Sequence, residues 1–449
     1  MKLIFKNVAV VNADGISEGD VFVANGKIVA TPDGGEPFAD EEADTVVYGE
    51  GKHLLPGAVD VHVHFREPGS EHKEDFESGS RAAAAGGVTT VLDMPNTKPP
   101  TVTRAALDEK RELAAQGHAG ANIGFHFGVT GTEENLNELR EVPIGFGKGK
   151  IAEGVCGFKV YMGSSTGNLL VEGDVLREIF EIARDRDVPV IVHAEDEARI
   201  RARADEFSDP DFAERDDART HALVRDNECA RLAVEAAIKL REEVGNRLHI
   251  AHMSTKEELE LVREHACPEL TCEVAPHHLF FMADDMADGR MKMNPPLRDA
   301  ESVRLLWEAL RDGTVTMLAT DHAPHTLEEK LGKDASAGDG EPIAHWDAPA
   351  GVPGVEFLLP LMLDQVNEKM LSLLDVVRML CKAPAEVFGL EGKGEIRVGA
   401  DADLVLVDMD REQTVKREKV RSKCGWSPYE GYNLKGWPVM VVVGGEVVI

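Results

Sequence analysis

The sequence is poor in aromatic side chains, in clustered cysteines, in long apolar runs and in positive charge. Phe, Trp and Tyr make up 5% of the residues while hydrophobic residues reach 43%, so the core has to rely on aliphatic packing. The six cysteines (Cys156, Cys229, Cys267, Cys272, Cys381 and Cys424) are scattered and form no C-x-x-C. That argues against a disulfide scaffold or a thiolate zinc site, and for reduced thiols in an intracellular setting. No run of 18 apolar residues occurs, and the opening MKLIFKNVAVVNADG lacks the basic-then-apolar pattern of a signal peptide. A soluble, cytoplasmic protein is expected.

Positive charge is the largest deficit: 49 Lys and Arg stand against 81 Asp and Glu, for a net charge of −32. Nucleic acid and anionic membranes are disfavoured as partners, because both require a positive face. So large an excess repels itself in dilute buffer, whereas 1 M salt shortens the Debye length to about 3 Å. The composition is read as an adaptation to a salt-rich cytoplasm, against the alternative of an ordinary acidic protein. Unfolding in low salt compared with molar KCl separates the two.

With 449 residues, the chain exceeds what one hydrophobic core usually serves, so one large domain with a smaller satellite is expected. Residues 1–56 read as short strands joined by tight turns, with Asn25-Gly26 as a hairpin signal. Residues 391–449 have the same texture, in DLVLVD (403–408) and Val439 to Val443 before Gly444-Gly445. Neither end can bury a core alone, so the two are expected to pair into one small β-sandwich. Between them, over 57–390, strands alternate with helices. Candidate strands are Ala58–Phe65, Val88–Met94, Asn122–Thr130, Gly157–Met162, Pro189–Ala194, Leu248–Met253, Leu270–Ala275 and Thr314–Thr320. Candidate helices are Arg104–Gln116, Asp174–Asp185, Asp217–Val244, Thr255–His265 and Ser302–Arg311. This alternation predicts a parallel (β/α)8 barrel of the TIM type. The alternative is an open doubly wound sheet, whose dinucleotide-binding form lacks its G-x-G-x-x-G here.

The stretch Asp60 to Gly69 (DVHVHFREPG) is the chemical focus. In a strand, residues two apart share a face, so His62 and His64 stand side by side with Arg66 continuing the alternation. Two imidazoles at that spacing can hold one divalent cation, although an isolated H-x-H is more often a pair of structural histidines. Barrel chemistry gathers at the C-terminal strand ends. Those ends supply His62, His64, Arg66, Asn96, Lys159, His193, His252, Asn294, Asp321 and His325. Four histidines, a lysine and an aspartate on one face describe a metal site. A bare ammonium at Lys159, facing inward among cation-binding groups, would be costly to desolvate and would lose proton affinity. Such an amine can take up carbon dioxide to become a carbamate with two ligand oxygens.

The run HVHFREPGSEHKEDFESGSRAAAAGGVTTVLDMPNTKPP resembles the signature of the cyclic amidohydrolases, and of the dihydroorotases within them. So do GFKVYMGSSTGNLL (157–170), VHAE (192–195), HIAHMST (249–255), APHHL (275–279), MNPPLR (293–298), ATDHAPH (319–325) and SPYEG (427–431). The resemblance implies the barrel and the terminal sandwich. It also implies a two-zinc site in which His62, His64 and Asp321 hold the more buried ion and His193 and His252 the more exposed one. Carboxylated Lys159 would bridge the pair; some dihydroorotases carry an aspartate there, but FKVYMG matches the lysine version. Such a pair makes hydroxide available at neutral pH, and Asp321 would carry its proton to the leaving ring nitrogen.

Arg66, Asn96, Asn294 and His325 would contact substrate, with Arg66 taking the ring carboxylate bidentately. Allantoinases tend to differ at the arginine and in the MPNT run, and hydantoinases lack the arginine. The implied reaction is reversible closure of N-carbamoyl-L-aspartate to (S)-dihydroorotate and water, in pyrimidine synthesis. The rivals are another cyclic-amide hydrolase, or a scaffold of this fold without metals. A homo-oligomer and association with aspartate transcarbamoylase stay open. His277, His278 and His322 are read as supporting residues, and the long polar stretch 326–353 as either a lid or a solvated insertion.

Overall fold

The computed structural model describes all residues except 118–119, 166–168, 208–217, 286–287 and 334–342. The N-terminal segment forms β1 (Lys2–Asn12), β2 (Gly15–Ala24), β3 (Lys27–Thr31), β4 (Gly34–Gly35), β5 (Thr45–Tyr48) and β6 (His53–Pro56). The eight barrel strands are β7 (Ala58–Val63), β8 (Val88–Asp93), β9 (Asn122–Gly128), β10 (Ile151–Tyr161), β11 (Val190–His193), β12 (Leu248–Ile250), β13 (Leu270–Val274) and β14 (Met317–Leu318). At the C-terminus β15 (Leu404–Thr414), β16 (Asn433–Val443) and β17 (Glu446–Val447) follow.

The barrel strands pair in parallel in chain order from β7 to β14. Their residues are buried almost without exception, which is why they read as continuous apolar runs rather than as alternating ones. The near-closed ring is joined where the His64 amide donates to the His322 carbonyl at 2.8 Å, beside a parallel bridge between Val63 and His322. Helices cover the outside. Phe76–Ala85 is capped by Asp75, Lys256–Glu264 by Thr255 and Ala300–Asp312 by Asp299, each side-chain oxygen taking an amide of the first turn.

The two chain ends pair with each other, as one continuous mixed sheet in the order β17-β16-β15-β6-β1-β2-β3-β4, with β5 added on β1. The joint is β15, antiparallel to both β6 and β16. Leu3, Phe5, Val8, Val10, Leu54, Leu404, Leu406 and Val442 form the apolar core of this sheet. The sheet is tied to the barrel through Asp403, which takes Asn122 of β9 at 2.9 Å and the Lys393 ammonium at 2.6 Å.

Two expectations need correction. The helix over Asp217–Val244 is two helices, Ala218–Val224 and Asn227–Val244. Asp226 breaks them by accepting the Cys229 amide as a cap, an Asx arrangement that competes with continued helix; Asp217 itself lies outside the described residues. The last barrel strand is also shorter than Thr314–Thr320. Thr314 is held in a turn by Asp312, and Thr320 turns its hydroxyl and amide to Asp60 at 2.5 and 3.0 Å.

Candidate metal centre

The C-terminal strand ends converge on one narrow cavity. Its wall includes His62, His64, Lys159, Tyr161, Ser165, His193, His252, Asn294 and Asp321, with Ala323, Ala350 and Gly351. Asn294 is the one expected substrate contact on that wall. Arg66, Asn96 and His325 stand behind it, and three of the site residues hold strained backbone: φ is +66° at Arg66, +35° at His252 and +46° at Asp321. Left-handed conformations at non-glycine residues cost energy and concentrate at functional sites.

Second-layer carboxylates and amides set the tautomers. His62 gives its Nδ1 proton to Glu273 at 2.5 Å, and His64 gives its own to the Asn96 side-chain oxygen at 2.6 Å. Each neutral ring therefore keeps a bare lone pair on Nε2. Both lone pairs point at the same oxygen, Asp321 Oδ1, at 3.3 Å from His62 and 3.0 Å from His64. Three electron-rich atoms facing one another need a cation between them.

A second cluster repeats the pattern. His193 donates from Nε2 to Glu195 at 2.8 Å, leaving Nδ1 2.9 Å from His252 Nε2, while His252 Nδ1 has no hydrogen-bond partner among the described residues. One nitrogen each of His62 and His252 and one oxygen of Asp321 lie within 4.8 Å of one another. Between the clusters the Lys159 ammonium is buried with no hydrogen-bond partner among the described residues, 5.2 Å from the Tyr161 ring centre.

The electrostatics favour neutral imidazoles and ionised carboxylates, the states that bind metals. Burial pushes His64 down to about 4 and His252 well below the usual imidazole range, where His193 and Lys159 add repulsion. Burial opposes ionisation of Asp321, but positive charge beside it, carried by His62 and His64 when protonated and supplied by a bound cation when they are neutral, holds its carboxyl well below the carboxylate range. Glu273 is held down in the same way by His62 and His249. Burial lowers Lys159 to about 8, within reach of an uncharged, nucleophilic amine near neutrality. Among the described residues His62, His252 and Asp321 form a buried group able to hold a metal ion.

Comparison with known proteins agrees with this geometry. The model of the amidohydrolase family matches residues 53–448.

The chain belongs to the amidohydrolase family.

A dihydroorotase of Halobacterium salinarum is 43% identical over 424 residues, covering 94% of this chain and 90% of that one. A dihydroorotase of Methanosarcina acetivorans is 37% identical, covering 99% and 91%. Among solved structures, an L-hydantoinase (dihydropyrimidinase) from Arthrobacter aurescens superposes with a TM-score of 0.87 at 32% identity, covering 99% of this chain and 95% of that one. The protein is an amidohydrolase-family hydrolase with a buried His/Asp group able to bind metal.

Sequence reasoning missed the residues that make this amidohydrolase site work from behind. Glu273 joins His62 to His249 (3.0 Å to its Nε2), and Asp60 fixes the Thr320 turn that presents Asp321. Glu195 is shared between His193 and Arg225. Carboxylates on strands that otherwise read as wholly apolar were the available signal. Asn96 sits against His64, and His221 donates to the Asn294 oxygen at 2.9 Å. His278 donates to the Pro295 carbonyl, and His322 accepts the Gly354 amide at 3.0 Å, so both support loops rather than line the cavity. Of the stretch 326–353, Leu327–Leu331 is a helix and Ala350 and Gly351 reach the cavity wall, while 334–342 lie outside the described residues.

Proposed function

We propose that the chain is a dihydroorotase, closing N-carbamoyl-L-aspartate to (S)-dihydroorotate and water, reversibly, in the cytoplasmic synthesis of pyrimidines. His62, His64 and Asp321 would hold one zinc ion, His193 and His252 the other, with Lys159 carboxylated as the bridge. Bound there, the metal pair would supply a Lewis acid for the ring carbonyl and hydroxide at neutral pH. Asp321 stays ionised and accepts a proton in the hydrolytic direction, then delivers it to the departing ring nitrogen. Asn294 presents its amide to the substrate, its oxygen held by His221. The narrow apolar rim at Ala323, Ala350 and Gly351 limits water around the ring.

The substrate assignment rests above all on Arg66. Its guanidinium is buried and bonds only to the Pro324 carbonyl at 3.1 Å and the His325 ring at 3.2 Å, with no ion-pair partner among the described residues. A buried cation without an anion favours an anionic ligand, and a ring carboxylate matches its fork. The dihydroorotase relatives at 37–43% identity support the same substrate. The competing reading is a hydantoinase-type enzyme, favoured by the solved neighbours at TM-scores of 0.87.

Turnover of dihydroorotate, hydantoin and allantoin by the zinc-loaded protein tests the proposal. Dihydroorotate should be opened and Arg66→Ala should raise its KM by roughly 10- to 100-fold, the loss of one charge-assisted bidentate contact. Opening of hydantoin but not dihydroorotate would transfer the assignment to the rival.

A further inference from the structure

The segment 411–423 (REQTVKREKVRSK) runs against the composition of the whole chain. It carries six Lys and Arg against two Glu, in a protein of net charge −32. Its two outer neighbours have acids to hand: Arg417 lies 3.7 Å from Glu430, and Lys423 2.5 Å from Asp75. Arg411, Lys416, Lys419 and Arg421 have no ion-pair partner among the described residues, although acids outnumber bases overall. All four line one crevice with a cavity volume of about 200 Å³. Strand alternation puts Arg411 and Gln413 on the crevice face of β15, while Glu412 turns the other way to Asn433. The opposite wall is Trp437, Pro438 and Val439 of β16, with Phe357 and the buried Glu356 carboxyl at the floor.

We propose that this crevice binds a small phosphorylated molecule carrying an aromatic ring, a nucleoside triphosphate, as an effector. Four unpaired cations converging over one cavity match a compact polyanion, because phosphate oxygens accept from Arg and Lys without the desolvation cost of a buried pair. The half-buried Trp437 indole offers a flat apolar surface for a base. An extended polyanion is disfavoured, since beyond the crevice it would run over an acidic surface.

The crevice floor also leads to the metal centre. Glu356 accepts the Arg421 amide at 2.8 Å and lies two residues from Gly354, whose amide donates to His322 Nδ1. Ser422 donates to Glu74, which lies 3.5 Å from His322 Nε2. The His322 backbone closes the barrel against His62 and His64. An occupant that draws Arg421 toward itself would therefore bear on the histidine pair through Glu356, Gly354 and His322.

The test is isothermal titration of the full-length, zinc-loaded protein in low salt with ATP, inorganic triphosphate and adenosine, followed by turnover with and without ATP. Saturable binding of ATP, weaker binding of triphosphate and none of adenosine is expected. The variant K419A/R421A should raise the ATP dissociation constant at least tenfold and leave turnover without ATP unchanged. A control at remote lysines, K27A/K150A, should leave the affinity as it is. Trp437→Leu should weaken ATP binding and not triphosphate binding. Equal loss in the control, or no saturable binding of ATP, would overturn the site. Equal affinity for triphosphate and ATP would overturn the nucleotide assignment, and turnover that ignores bound ATP would overturn the effector role.

Discussion

Lys110 and Lys159 are both fully buried against the barrel, and the fold treats them in opposite ways. Lys110, on the helix Arg104–Gly117, meets the Asp93 carboxylate at 2.5 Å and the Met94 carbonyl at 2.8 Å. Lys159, on β10, has no hydrogen-bond acceptor among the described residues. Lys330, equally buried, finds three carbonyls, those of Lys292, Pro349 and Gly351, at 2.7–3.0 Å. This chain can satisfy an interior ammonium with or without a carboxylate. The unpaired nitrogen at Lys159 is the contact on which the proposed carboxylation and metal binding rest.

The comparison breaks most visibly if Lys159 is removed. Lys159→Ala should lower turnover by roughly 10³-fold or more and release metal, read by steady-state kinetics beside zinc analysis. Unchanged turnover would refute the carbamate bridge. In the metal-free protein Lys159→Met, which keeps volume and loses an unpaired buried charge, should melt no lower than the parent.

The reverse is expected at Lys110. Lys110→Met leaves Asp93 buried and unpaired and should cost about 3–5 kcal/mol in denaturant unfolding, with kcat nearly unchanged. A mild effect would mean that the two lysines differ less than their contacts imply.

A third buried group, away from the metal centre, supplies a pH signature. Burial raises the Glu356 carboxyl from 4.5 to about 7. The folded state then binds a proton that the unfolded state has lost, so stability falls as pH rises from about 4.5 to about 7. Glu356→Gln should flatten that slope, by at most roughly 3 kcal/mol across the window at 1.4 kcal/mol per pH unit. Thermal melts at pH 5 and pH 8 read it directly.

The smallest effect belongs to the surface. If the acidic excess is an adaptation to salt, the melting temperature should rise by several degrees between 0.1 M and 2 M KCl. The Halobacterium salinarum relative makes that comparison informative. Equal melting in both salts would refute the adaptation.

Much of the architecture was legible because parallel strands buried on both faces leave long aliphatic runs, and eight such runs alternate with helices. The terminal sheet was legible in outline, since two strand-rich ends each too short for a core had to find one another. The break at Asp226 and the two-residue β14 were not, because both depend on side chains (Asp226, Asp60) that compete with backbone ladders in ways periodicity does not record. For the site, His62, His64, His193 and His252 could be placed at strand ends by counting. Which nitrogen of each is bare could not, because it depends on which side chains meet each ring, Glu273 for His62, Asn96 for His64 and Glu195 for His193.

The sequence by itself determined which groups are present and on which strand ends they fall, because side-chain alternation and strand order are local consequences of the backbone. Only the tertiary structure decided that the His62 and His64 nitrogens meet at Asp321, that Lys159 has no hydrogen-bond partner among the described residues, and that four cations share one crevice. Those facts depend on closure of the barrel and pairing of the chain ends, and no local pattern encodes the distance between residues hundreds of positions apart.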